Sequence, residues 1–169
     1  MYKNIQYIDK NGEVVSNKTQ TFTDSMSLSG YRVPSHKNGF RRFNNVPPPT
    51  DIIMADWGRM MCIVQFCMQR NVLGEYNNNV LTPFSIHQIA QKMPWIPERT
   101  LYHTMRHMEQ YNIIKQVDHV WYVNPIYFLS NGMRISEKWL MIFGDDLRKI
   151  VPAWAMQELL TRKEEKYGK

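Results

Sequence analysis

His103 and His107 stand four residues apart in a stretch with helical periodicity, which places both imidazoles one turn apart, the spacing two ligands of a metal ion would use. A zinc site needs a third and usually a fourth ligand. No HExxH, no paired CxxC and no matching acidic cluster supplies them, so no metal and no other cofactor is expected. Arg99, Thr100, His103 and Arg106 follow the same rhythm. Such a row of guanidinium, hydroxyl and imidazole groups suits hydrogen bonding to base edges, with arginine fitted to guanine O6 and N7. Asp145-Asp146 and Glu164-Glu165 are adjacent carboxylates that diverge on a helix and read as solvent charge. GxxxxGK[ST], GxGxxG and GxSxG are all missing, and an enzyme is not expected. Cys62 and Cys67, the only cysteines, lie five apart in an apolar helical pattern, so they are expected as buried free thiols.

Two helices and a hairpin must position that row. The first helix should start at Ser85, an N-cap whose hydroxyl can accept from an amide two or three residues on. Ile86, Ile89, Ala90 and Met93 then share a face, and Pro94 and Pro97 force its end. Pro97 suits the first turn of the next helix, where Leu101, Met105 and Met108 recur at i, i+4, i+7 as an inner stripe. The opposite side carries Arg99, Thr100, His103, Arg106, His107 and Gln110. After Tyr111-Asn112, Ile113 to Val117 and Val120 to Val123 are β-prone and separated by the turn pair Asp118-His119. Helix, turn, helix and hairpin in this order read as a winged helix-turn-helix. In that motif the second helix faces the major groove of double-stranded DNA.

The fold class expected for the whole chain is therefore α+β: a winged helix-turn-helix with an N-terminal hairpin and arm and two appended C-terminal helices. Residues 1–49 form the hairpin and a basic, proline-ended arm, residues 50–130 the winged domain, and residues 131–169 the helical extension. Asn4 to Val15 alternates around Asn11-Gly12, the preferred two-residue hairpin turn. Thr19 to Asn45 is polar and irregular in pattern, and its Lys37, Arg41 and Arg42 interleave with Phe40 and Phe43. Such a segment either contacts phosphates and bases or is a linker anchored by its phenylalanines. Pro47-Pro48-Pro49 is a stiff spacer, after which Thr50 or Asp51 should cap a helix running to about Asn71 and covered on more than one side. Gly74 and Asn77-Asn78-Asn79 mark a loop into Val80-Leu81-Thr82, a short third strand expected to pair with the wing. Asn124-Pro125 breaks the last wing strand, and Ile126 to Leu129 reads as another extended piece. Ser136 is expected to cap a helix carrying Trp139, Leu140, Ile142, Phe143 and Leu147. A last helix runs from about Pro152, and the two either pack on the domain or pair with a second copy as a homodimer. The 12 methionines most simply fill irregular core space.

Charge narrows the partner. The formal net charge is +6, but residues 1–50 hold seven basic against three acidic side chains, residues 51–112 five against five, and residues 113–169 nine against seven. The reading helix is not strongly basic. Lys115 and His119 on the wing, with Lys37, Arg41 and Arg42 of the arm, must then supply much of the phosphate neutralisation. No window approaches a membrane span, and MYKNIQYIDKNG lacks the apolar core of a secretory signal, so a cytoplasmic protein is expected.

The stretches FSIHQIAQKM and TLYHTMRHMEQYNIIKQVDHVWYVNP resemble the winged-helix replication proteins of the Firmicute plasmid RepL type and related phage proteins. Matching positions are Ile89-Ala90, Thr100, Met105, Ile113-Ile114, Tyr122 and Asn124-Pro125, with Tyr7 to Val14 near the start. The likeness covers residues 5–15 and 51–136. It implies replication initiation or transcription regulation on a phage or plasmid by DNA binding, in a bacterial host, without nuclease or helicase activity. A near-neutral winged helix with Trp95, Tyr102 and methionines also fits another class, an adaptor or inhibitor that docks on a host or phage polymerase, replication factor or repressor.

Overall fold

A computed structural model describes residues 2–8, 14–21, 26–27, 29–32, 40–41, 46–78, 80–130 and 133–168. The chain is a mixed α+β protein with a small antiparallel sheet between two sets of helices. Strands β1 (Tyr2–Ile8) and β2 (Val14–Thr21) pair antiparallel from Tyr2↔Thr21 to Ile8↔Val14. This meets the hairpin expectation, although the Asn11-Gly12 turn lies outside the described residues. The segment expected to be irregular instead carries β3 (Met26–Ser27), β4 (Gly30–Arg32) and β5 (Phe40–Arg41). Strands this short leave no period in the sequence; β3 pairs with β4 beside it, and the further partners of β4 and of β5 lie far on, at Arg134 and Leu129.

Helix α1 spans Met54–Cys67, not Thr50 to Asn71, and its N-cap Ile53 makes no side-chain cap. Trp57, Met60, Ile63, Val64 and Cys67 are buried along one face while Ile53 and Phe66 stand exposed, so the helix is covered on one side rather than several. It stops at Met68, whose backbone is already extended, and Arg70 and Asn71, at positive φ of 50° and 60°, form a two-residue turn between β6 (Met68–Gln69) and β7 (Val72–Asn77). Asn71, fully buried, fixes that turn. Its amide donates to the carbonyls of Val123 (3.0 Å) and Phe128, its Oδ1 accepts from Ser130 N–H (2.7 Å), and its own carbonyl accepts from Val123 N–H (2.8 Å). Gly74, expected in a loop, lies inside β7. A Cβ there would meet the Thr82 carbonyl at 2.6 Å, so only glycine lets β8 (Val80–Pro83) approach so closely. Strand β8 forms as expected but pairs with β7 instead of the wing.

Helix α2 (Ile86–Lys92) begins at Ser85 with a full capping box: Gln88 N–H donates to Ser85 Oγ (3.3 Å) and Ser85 N–H to Gln88 Oε1 (2.8 Å). Helix α3 (Glu98–Gln110) buries Leu101, Thr104, Met105 and Met108 completely. Burial stabilises each of the three apolar side chains by roughly 1.5–3 kcal/mol. Strands β9 (Ile114–Val117) and β10 (Val120–Val123) follow, joined by Asp118 and His119 at φ 48° and 63°, the geometry of a tight hairpin turn. The sheet order is β6-β7-β10-β9, with β8 on β7. Trp121 and Val123 face α1, α2 and α3, whereas Tyr122 enters the core on the other side, the alternation a strand imposes.

That second core belongs to the C-terminal half. Of Ile126 to Leu129, expected to be extended, only Leu129 is so; after Asn124-Pro125 the chain turns tightly, the Asn124 carbonyl accepting from the Tyr127 and Phe128 amides, both at 3.2 Å. Strand β11 (Leu129–Ser130) pairs with β5, and β12 (Arg134–Ile135) with β4, which stitches the early segment to the end of the chain. Helix α4 (Glu137–Phe143), a 3-10 helix (Gly144–Lys149) and α5 (Ala153–Tyr167) then pack Trp139, Phe143, Leu147, Ala155 and Leu159 against Tyr31, Val46, Val72 and Tyr122. Ser136 precedes α4 as expected but makes no side-chain cap. Among the described residues no helix is long and apolar enough to cross a membrane.

Candidate nucleic-acid interface

Helix α3 lies against α1 through a polar cluster that the sequence did not announce. Asp56, in the first turn of α1, accepts from Thr104 Oγ1 (2.7 Å) and Arg59 Nη1 (2.6 Å) on Oδ1, and its Oδ2 stands 2.7 Å from His107 Nδ1. Burial pushes the Asp56 pKa up. Hydrogen bonds from Thr104, His107 and Arg59, with the charge of Arg59, outweigh that effect and hold the carboxyl below its ordinary range. His107 therefore faces α1, which corrects its placement on the outward row, and it is separated in role from the exposed His103. Asp56 in an otherwise apolar stretch was the one available signal, but its partners lie 48 and 51 residues away. A second tie joins α2 to α3: His87 Nδ1 lies 3.1 Å from Glu98 Oε2 and its Nε2 3.0 Å from Gln91 Nε2. Both partners of the His87–Glu98 pair are solvent-exposed, so that contact is worth about 0–1 kcal/mol.

With the inner side of α3 fixed, Arg99, His103 and Arg106 stand exposed on the outer side and Thr100 is half-buried. Arg106 is held in place: Nε donates to Tyr102 Oη (3.3 Å), Nη1 to Glu109 Oε2 (3.3 Å), and its guanidinium sits 5.5 Å from the Tyr102 ring centroid. Between α3 and the β9–β10 hairpin opens a cleft of about 290 Å³, where Tyr102, Arg106, Gln116 and His119 meet above Met105 and Trp121. The structure thus joins Arg106 of the helix with His119 of the hairpin turn. It adds Tyr102, which the sequence suggested only for a protein-docking surface, and Gln116, which no local pattern singled out.

Lys115 goes elsewhere. Adjacent residues on a strand face opposite sides, so Gln116 opens to the α3 cleft while Lys115 turns to α4, donating to the Ile142 carbonyl (2.8 Å) and lying 5.9 Å from the Phe143 ring centroid. It is separated by the sheet from Arg99, His103 and Arg106. Lys37 and Arg42 lie outside the described residues, and of Arg41 the structure describes only the backbone, in β5. Among the described residues, no three His, Cys, Asp or Glu side chains gather as a metal would require. No protein-family model, curated protein or solved structure matches the chain.

Proposed function

We propose that the chain is a winged-helix DNA-binding protein of a phage or plasmid, acting in replication initiation or transcription regulation in the cytoplasm of a bacterial host. The observation that carries this reading is the solvent-facing row Arg99, His103 and Arg106 on α3 beside a hairpin whose turn presents His119. The succession α1, β7, α2, α3, β9, β10, with β10 between β7 and β9, supports the winged assignment. Arg99, Thr100, His103 and Arg106 face the major groove, His119 meets the flanking backbone, and Lys37, Arg41 and Arg42 of the arm add phosphate contacts. Lys115 we assign to holding α4.

Fluorescence anisotropy with duplex DNA across a salt series tests the reading. Replacing Arg99 and Arg106 together with Gln should weaken the preferred duplex by about 30-fold or more, since each good arginine–base pair discriminates by roughly 1–3 kcal/mol. Generic binding should fall steeply with salt. Unchanged affinity and preference in the double variant would overturn it.

The adaptor reading has its own observation. Phe66 and Trp95, 52% and 61% exposed, pack edge to face with centroids 5.7 Å apart beside the α2–α3 turn. Retention of a host protein from lysate after nuclease treatment, lost on Trp95→Ala, together with no duplex binding at low salt, would favour docking on a replication or transcription protein.

A further inference from the structure

On the face of the sheet away from α3, a second cavity of about 350 Å³ opens between β7, β10, β12 and α4. Arg70, Arg134 and Lys138 line it, and among the described residues no Asp or Glu does. Its floor is apolar, from Val72, Tyr122 and Trp139. Holding Arg70 and Lys138 around one concavity raises their mutual repulsion, and a bound anion relieves it.

The fold fixes two of these cations against aromatic rings. Arg70 occupies the first left-handed position of the β6–β7 turn, and its guanidinium lies 4.7 Å from the Tyr76 ring centroid. Lys138 Nζ donates to Tyr122 Oη at 2.6 Å and stands 4.7 Å from that ring's centroid. Among the described residues neither has a carboxylate in ion-pair range. Each leans on an aromatic ring, and neither contact neutralises its charge. Arg134 reaches the Gly30 carbonyl at 3.5 Å and completes the rim.

Guanidinium forks beside an ammonium suit the tetrahedral, multiply charged oxygens of a phosphate better than a single carboxylate. The apolar floor and a volume in the range of small-molecule sites leave room for an organic body. We propose that this cavity binds the phosphate of a nucleotide, either free or at the end of a nucleic-acid strand. This goes beyond the DNA-reading surface and does not depend on it, because the two lie on opposite faces of the sheet.

Isothermal titration at low salt decides it, using adenosine 5′-monophosphate, inorganic phosphate, and a short oligonucleotide with either a 5′-phosphate or a 5′-hydroxyl. The intact chain should bind the nucleotide, and Arg70→Gln and Lys138→Gln should each weaken binding at least tenfold while Arg99→Gln/Arg106→Gln leaves it unchanged. Lys138 is exposed on α4, so Lys138→Gln carries the test if Arg70→Gln disturbs the turn. A strand end as the natural source predicts that the 5′-phosphorylated oligonucleotide binds through Lys138 and the 5′-hydroxyl one does not. A free nucleotide predicts that neither oligonucleotide does so. Inorganic phosphate binding as tightly as the nucleotide would overturn the nucleotide assignment. No binding of any of the four, or binding indifferent to Lys138→Gln, would overturn the site.

Discussion

The α1–α3 contact and the β6–β7 turn are locked by different chemistry. On the α3 side an ionised group, Asp56, ties two helices through Thr104, His107 and Arg59. At the β6–β7 turn a neutral amide, Asn71, ties the end of the sheet to β10 and to the chain around Phe128 and Ser130 through backbone groups. A carboxylate tie can be loosened by acid, and an amide tie cannot. The helix that presents the outward cations is therefore seated by a group that titrates, whereas the Asn71 amide does not titrate.

The largest effect should come from the amide side. Asn71→Ala removes three side-chain hydrogen bonds at a fully buried site and places alanine at a φ of 60°, so a loss of about 3 kcal/mol or more is expected in urea denaturation. A loss under about 1 kcal/mol would show that the turn is held by something else. Asp56→Ala should follow, at about 2–3 kcal/mol, because it leaves Thr104 and His107 without their acceptor.

Acid sharpens the contrast. The Asp56 pKa is lower in the folded chain than in the unfolded one, so its contribution is fully present above the ordinary aspartate pKa of about 4 and is lost as pH falls through the lower folded value. The stability gap between the native chain and Asp56→Asn should therefore narrow from pH 6 to pH 3. The gap between the native chain and Asn71→Ala should narrow much less over the same range. Parallel curves for the two variants would remove the distinction between the ties.

Smaller effects test which face each side chain serves. Lys115→Gln should cost about 1 kcal/mol of stability through the lost Ile142 contact and leave duplex affinity within about twofold, whereas Arg106→Gln should do the reverse. The thiols give the mildest readout. Burial pushes Cys67 up to about 11, against a small lowering by Lys92, while Cys62 is only half-buried. Alkylation at pH 8 should label Cys62 first, as peptide mapping would show.

Much of the fold was legible because its signals are local. Ser85 with Gln88, the Leu101-Met105-Met108 stripe, the Asp118-His119 turn and the helix from Pro152 each lie within one element and follow from caps, periods and turn propensities. The missed features depend on distant partners. Arg70-Asn71 does not look like a turn until Val123, Phe128 and Ser130 bond to Asn71, and Gly74 reads as a loop until Thr82 lies against it.

The sequence by itself put Arg99, His103 and Arg106 on the outer side of α3, since a 3.6-residue repeat with an apolar stripe leaves them no other place. Only the tertiary structure decided that His107 turns to Asp56, that Lys115 serves α4, and that Arg70, Arg134 and Lys138 share one cavity. His107 lies 51 positions from Asp56, Lys115 27 from Ile142, and Arg70 64 and 68 from Arg134 and Lys138. Periodicity assigns a side chain to a face. What that face meets is set by how the helices and strands pack.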